Sequence, residues 1–205
     1  RAAFVMASSG ESVSYAEFEA RANRLTHLLQ NEGLSRQDHY SIMMENNNRY
    51  LEACAAGERA GLYYTCINSY LTADELAYIL DNSESQILIT SMSKLEVATD
   101  AVAQSSKVRK VLVVDADANK LPDGFEDYAT ACQSFPATPI DNERLGTSML
   151  YSSGTTGRPK GIIRPLPEQP PADALPMYDF LGQLWHYRED MIYLSPAPLY
   201  HSAPQ

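Results

Sequence analysis

The sequence predicts an α/β fold, a doubly wound and mostly parallel sheet with helices on both faces. Three observations carry that prediction. Short apolar or β-branched runs alternate with segments of helical periodicity along most of the chain. The runs at 86–90 and 110–115 are continuously apolar in their middles, as strands covered on both faces are. Two capping boxes, Ser14-x-x-Glu17 and Thr72-x-x-Glu75, mark helix starts.

Each element follows in order. From Ser14 a helix is predicted, because Tyr15, Phe18, Ala22, Leu25 and Leu29 recur at alternating spacings of three and four; Gly33 ends it. Residues 40–44 read as a strand, and Asn46-Asn47-Asn48 as the turn after it. A helix of small residues (Ala53, Cys54, Ala55, Ala56) then runs to Gly61, suited to close packing on a sheet. Residues 62–67 form a β-branched and aromatic strand. The Thr72 capping box opens a helix that turns Leu76, Ile79 and Leu80 inward. Strands 86–90 and 110–115 flank a helical stretch at 94–105, followed by a polar loop at 117–124, a short helix at 125–132 and a strand at 147–151. Nine of the 12 prolines then fall between Pro159 and Pro204, so the texture changes. Residues 165–171 are too proline-rich for helix or central strand and read as an extended surface loop; 172–187 reads as a helix and 191–194 as a strand.

Composition limits the function. With 205 residues, 44% of them hydrophobic, the chain can bury one sizeable core. Sixteen basic against 26 acidic side chains give a net charge of −10, which argues against a nucleic-acid binder or a partner for anionic membranes. No apolar run approaches the roughly 18 residues of a membrane span, and the opening segment lacks the apolar core of a secretory signal. Cys54, Cys66 and Cys132 show no C-x-x-C spacing and read as thiols of a reducing compartment, so a cytoplasmic location is expected. Oligomeric state is not written in these residues.

The strongest local feature is Tyr-Ser-Ser-Gly-Thr-Thr-Gly-Arg-Pro-Lys-Gly at 151–161, directly after a predicted strand that would be parallel. Glycines let backbone N–H groups approach phosphate oxygens, and ligands of open α/β sheets sit at the carboxyl ends of strands. Arg144, Arg158, Lys160 and Arg164 lie between 144 and 167 with no acid among them, in an otherwise acidic chain. The loop is therefore built as an anion cradle. It is not a P-loop, since Arg158-Pro159 separates the second glycine from Lys160, and it is not the G-x-S-x-G elbow, since Leu150 precedes where a glycine is needed.

That segment resembles the phosphate-binding signature of the adenylate-forming (AMP-binding) superfamily, which includes acyl-CoA synthetases, luciferases and peptide-synthetase adenylation domains. Further segments are similar in the same order: Ser14-Tyr15, residues 59–68, residues 71–80, and Ala-Pro-Leu-Tyr-His at 197–201. The proline-rich stretch after Lys160 looks most like bacterial fatty-acyl-CoA synthetases. The resemblance implies ATP-dependent activation of a carboxylic acid as an acyl-adenylate and its transfer to coenzyme A, with magnesium on the phosphates. It implies that Ser152, Ser153, Gly154, Thr155, Thr156, Gly157 and Lys160 line the phosphate site, that Ser152 contacts magnesium, and that Lys160 and His201 act in catalysis, His201 beside the acyl carboxylate. It also implies an α/β layer over 1–163 ending in the phosphate loop, with 164–205 a proline-rich insertion and the start of a second subdomain.

Other readings bear on specificity and completeness. Leu199-Tyr200-His201 carries no acid to pair with an amino acid's ammonium, which favours a simple carboxylic acid over an amino acid. Tyr200 is pocket wall or core, and the sequence does not choose. His27 is expected to face solvent; His39 and His186 show no partner pattern. The family's downstream Tyr-Gly-x-Thr-Glu segment, ribose aspartate and adenylation lysine do not occur in these residues. The chain therefore reads as the N-terminal portion of an acyl-CoA synthetase and is expected to be inactive alone, with another adenylate-forming enzyme (a peptide-synthetase adenylation domain or a luciferase-like one) or a non-catalytic α/β binding module as the alternatives.

Overall fold

The computed structural model describes residues 1–152, 158–173, 175–188 and 190–201. A short antiparallel hairpin of β1 (Ala2–Val5) and β2 (Ser12–Ser14) leads into α1 (Tyr15–Asn31). β3 (His39–Met43), α2 (Tyr50–Ala60), β4 (Tyr63–Cys66), α3 (Ala73–Asn82), β5 (Ile87–Ser91), α4 (Leu95–Val102) and β6 (Lys110–Val114) then alternate. β7 (Phe125–Asp127), α5 (Tyr128–Gln133) and β8 (Thr147–Ser148) complete a six-stranded sheet, entirely parallel, in the order β7-β6-β5-β3-β4-β8. β9 (Leu150–Ser152) and β10 (Lys160–Ile162) form a separate antiparallel pair, and α6 (Pro176–Leu184) follows.

Both capping boxes form. Ser14 and Thr72 each accept from the backbone N–H three residues on, while Glu17 and Glu75 accept from the cap residue's own N–H. Gly61 ends α2 at φ 68°, the left-handed conformation that a side chain disfavours. Alternate residues of the central strands divide into two cores. Ile42, Ile89 and Leu112 pack under α1, α2 and α5, while Met43, Leu88 and Val113 pack under α3 and α4. Helices thus cover both faces. This explains why these strands are apolar throughout.

Several expectations need correction. Tyr15, the first residue of the periodic stripe, is exposed at the start of α1, and the stripe is buried from Ala22 through Leu25 to Leu29. His27 is half-buried rather than fully solvent-facing, with Nε2 2.9 Å from the Thr138 carbonyl oxygen. Residues 125–132 are not one helix: 125–127 pair with β6 as the edge strand, and Asp127 caps α5 by accepting from Thr130 N–H. Residues 147–151 are not a single parallel strand, since the first two residues of the run pair with β4 and the chain then turns into β9. Residues 191–194 form no strand. They have no neighbouring strand to satisfy their backbone among the described residues, and Ile192 is 98% exposed.

Candidate functional site

A cleft of about 450 Å³ opens beyond the carboxyl end of β4. That volume is typical of a small-molecule site. Its floor is the exit of β4, from Thr65 to Asn68; one wall is α3, through Glu75 and Ile79; the other is Tyr151, Ser152 and Pro159 of the hairpin, with Tyr200 and His201 at the mouth. Stretches of sequence as far apart as Thr65 and His201 therefore meet at the carboxyl end of the sheet.

α3 holds the hairpin at both ends. The Tyr151 hydroxyl donates to Asn82 Oδ1 at 2.7 Å, and the Tyr78 hydroxyl donates to the Pro159 carbonyl at 3.1 Å. The Arg158 guanidinium lies over the Tyr78 ring, 4.9 Å from its centroid. Burial, with the neighbouring Tyr78, pushes the Tyr151 phenol up to about 12, so it remains a neutral hydrogen-bond donor. Gly161 sits opposite Tyr151 in the pair, where a Cβ would displace the flexible Met149 Cε and press on the Tyr151 ring at 3.1 Å. The glycine lets β10 lie flat on that tyrosine.

A second tether places His201. The Asn46 side chain donates to the Ala197 carbonyl (3.1 Å) and accepts from Leu199 N–H (2.8 Å), fixing the 197–199 segment beside the exit of β3. Tyr200 packs against the α1/α2 core and also lines the cleft, so it is both wall and core. Its ring lies 4.5 Å from the His201 imidazole, centroid to centroid. His201 itself is exposed. Next to Asn46, burial works to raise the Glu45 carboxyl, but hydroxyl donation from Ser91 and Ser93, each at 2.6 Å, holds it below the usual range. These bonds knit the exits of β3 and β5, where the strand order reverses.

The structure brings together two of the residues singled out from sequence: Ser152 and His201 line the same cleft. Lys160 faces Ser152 across the β9/β10 pair, with its side chain exposed and outside the cleft lining. Ser153, Gly154, Thr155, Thr156 and Gly157 lie outside the described residues. Of the four cations noted above, Arg158 turns toward α3 and Arg144 bridges to Ala60 before β4 begins, at the opposite end of that strand. The loop leaves an antiparallel hairpin, not a parallel strand. Among the described residues no three acidic, histidine or cysteine groups gather to hold a metal ion, and Ser152 offers one neutral oxygen. The described residues do not by themselves build a magnesium site.

Sequence reasoning missed Asn46, Tyr78, Asn82 and Glu75. Asn46 carried a faint signal, being the first of three successive asparagines. Glu75 is the acid on the cleft wall, and its Oε2 accepts from both Thr72 N–H and Oγ1–H at 2.9 Å, so the α3 cap engages it. Cys66 lies on the cleft floor with its Sγ 3.8 Å from that of Cys54; no disulfide forms.

A fully parallel layer with helices on both faces and a ligand-sized cleft at the carboxyl end of a strand defines an open-sheet α/β protein. The chain belongs to the AMP-binding enzyme family, whose profile matches residues 1–205. It is 32% identical over 163 residues to a 3-oxocholest-4-en-26-oate–CoA ligase of Rhodococcus rhodochrous, covering 77% of this chain and 29% of that protein. It is also 32% identical over 151 residues to a long-chain-fatty-acid–CoA ligase of Thermus thermophilus, covering 73% and 27%. The fold matches a solved anthranilate CoA ligase in complex with anthranoyl-AMP at a TM-score of 0.68 and 20% identity, over 75% of this chain and 30% of that one. The chain thus spans under a third of the length of these relatives. No helix among the described residues is long and apolar enough to cross a membrane.

Proposed function

We propose that this chain is the phosphate-binding and acyl-facing portion of an ATP-dependent acyl-CoA synthetase that activates a fatty or other simple carboxylic acid. The observation that carries the reading is the meeting of Ser152 and His201 on one cleft, beneath the hairpin that bears the glycine and hydroxyl loop. A carboxylate and ATP are like-charged, so joining them needs fixed donors and cations where charge develops. In this reading the loop from Ser152 to Gly157 and Lys160 neutralise the phosphates, and His201 donates to the acyl carboxylate. Magnesium would arrive with most of its ligands from the triphosphate and water, supplying further charge neutralisation. The α/β layer over 1–163 then carries the nucleotide half of the site, and 164–205 begins a second subdomain.

A simple acid is favoured over an amino acid. A buried ammonium needs a counter-charge, and the acid on the cleft wall, Glu75, is engaged by the α3 cap. The test is acid-dependent exchange of pyrophosphate into ATP by the complete ligase. Lys160→Ala should lower it by about one to three orders of magnitude while leaving the melting temperature within a degree or so, since one charged donor is lost at an exposed position. The 205 residues alone should show no such exchange. Wild-type exchange in the Lys160→Ala ligase, or acid-dependent exchange by the isolated chain, contradicts the reading.

A further inference from the structure

A second cavity, of about 230 Å³, lies between α1, α2 and α5 and shares no lining residue with the cleft at β4. Three arginines line it. Arg21 and Arg24 stand three apart on α1, so they share a helix face, and Arg49 precedes α2. The opposing charge is Glu52, whose side chain is 1% exposed; it pairs with Arg49 at 3.3 Å and accepts from the Tyr128 hydroxyl at 3.0 Å. Arg21 Nη1 is 3.9 Å from Glu52, beyond hydrogen-bond reach. Asp127 on the α5 side is engaged as the helix cap, donated to by Thr130 N–H and Oγ1–H. The Cys132 thiol on the wall is pushed up to about 12, chiefly by burial, and stays neutral.

Among the residues lining the cavity three guanidinium groups meet one carboxylate, Glu52, while Asp127 on the α5 side and Glu17, one turn before Arg21 on α1, are the further acids within electrostatic reach. Two of the guanidinium nitrogens, Arg21 Nη1 and Arg24 Nε, are buried without a hydrogen-bond partner. Buried donors of that kind are rare in folded proteins and call for a partner. Guanidinium forks match tetrahedral oxyanions in shape as well as charge. We propose that this cavity is a binding site for a phosphoryl dianion, held by Arg21, Arg24 and Arg49 and separate from the nucleotide cleft. A dianion would add charge-assisted acceptors for the guanidinium groups that line the cavity.

The test is a titration of the protein with inorganic phosphate at fixed ionic strength, read through the arginine Nε–Hε resonances, with a phosphate monoester such as glycerol 3-phosphate as a second arm. Saturable shifts of the Arg21 and Arg24 signals are expected with at least one of the two, and the tighter arm identifies free phosphate or an ester as the source. Arg24→Gln should weaken binding about ten-fold, the scale of losing one charge-assisted donor. Lys160→Ala should leave these shifts unchanged. The wild-type resonances decide the matter even where Arg24→Gln fails to fold. Absence of saturable shifts with both ligands overturns the proposal. So does binding that disappears in Lys160→Ala and survives in Arg24→Gln, which would place the phosphate at the hairpin.

Discussion

The central sheet and the segment after Lys160 are two differently built parts of one chain. Leu112 in β6 is fully buried between two helical layers, whereas α6 buries none of its residues and Leu184 at its end is 53% exposed. What holds the later segment is a set of tethers. Tyr63 donates to the Arg164 carbonyl, Arg36 to the Pro167 carbonyl and the Glu168 carboxylate, and Asn46 fastens 197–199. Leu166 is a buried aliphatic anchor of that strip, packed on Tyr63 and Met149. The layer is thus stabilised by its own burial, and residues 197–201 borrow their position from it.

This contrast makes graded predictions. Leu112→Ala should cost about 2–5 kcal/mol of stability in denaturant unfolding, the cavity cost of a fully buried leucine. Leu184→Ala should stay within about 0.5 kcal/mol, as exposed substitutions do. A large loss at Leu184 would mean that α6 is covered by something that stabilises it. Asn46→Ala removes both bonds that hold 197–199, so in the complete ligase it should lower adenylation as a milder copy of His201→Ala while costing about 1–2 kcal/mol of stability or less. Rescue by Asn46→Asp would be partial, because a carboxylate can accept from Leu199 N–H yet cannot donate to the Ala197 carbonyl.

The smallest effect concerns the cap of α3. Hydrogen bonds from Thr72 N–H and its hydroxyl hold the Glu75 carboxyl below its ordinary value of 4.5. A folded-state value below the unfolded one stabilises the fold above about pH 4.5, and that contribution fades as pH falls through the lowered value. Thr72→Ala should cost about 1 kcal/mol at neutral pH. It should also flatten the stability loss between about pH 5 and 3 relative to wild type. An acid limb that does not flatten would show that the Thr72 hydroxyl is not what holds this carboxyl down and would leave that role to the Thr72 N–H, which Thr72→Ala retains.

The same contrast explains what the sequence reveals. Capping boxes and strands buried on both faces are local signals, so Ser14, Thr72 and the runs at 87–91 and 110–114 read directly as structure. β7 is only three residues long, and its fate depends on a neighbour in β6 rather than on its own periodicity. The run at 191–194 shows the converse: strand-forming residues with no neighbouring strand stay irregular. Of the site, the glycine and hydroxyl loop and His201 are legible as motifs. The tether from Asn46 spans more than 150 residues and the Asn82–Tyr151 bond 69, so neither leaves a pattern in a local window.

The central claim is that His201, held at the mouth of the β4 cleft, brings a carboxylate and ATP together. It is tested most directly by measuring the two half-reactions of the complete ligase separately for His201→Ala. A positioning donor matters most while two anions must be joined and less once the mixed anhydride exists. The account predicts that acyl-adenylate formation slows by at least about ten-fold, while thioester formation from supplied acyl-adenylate falls much less and the melting temperature holds. Equal loss in both half-reactions together with a large drop in melting temperature would contradict it and make His201 a structural residue.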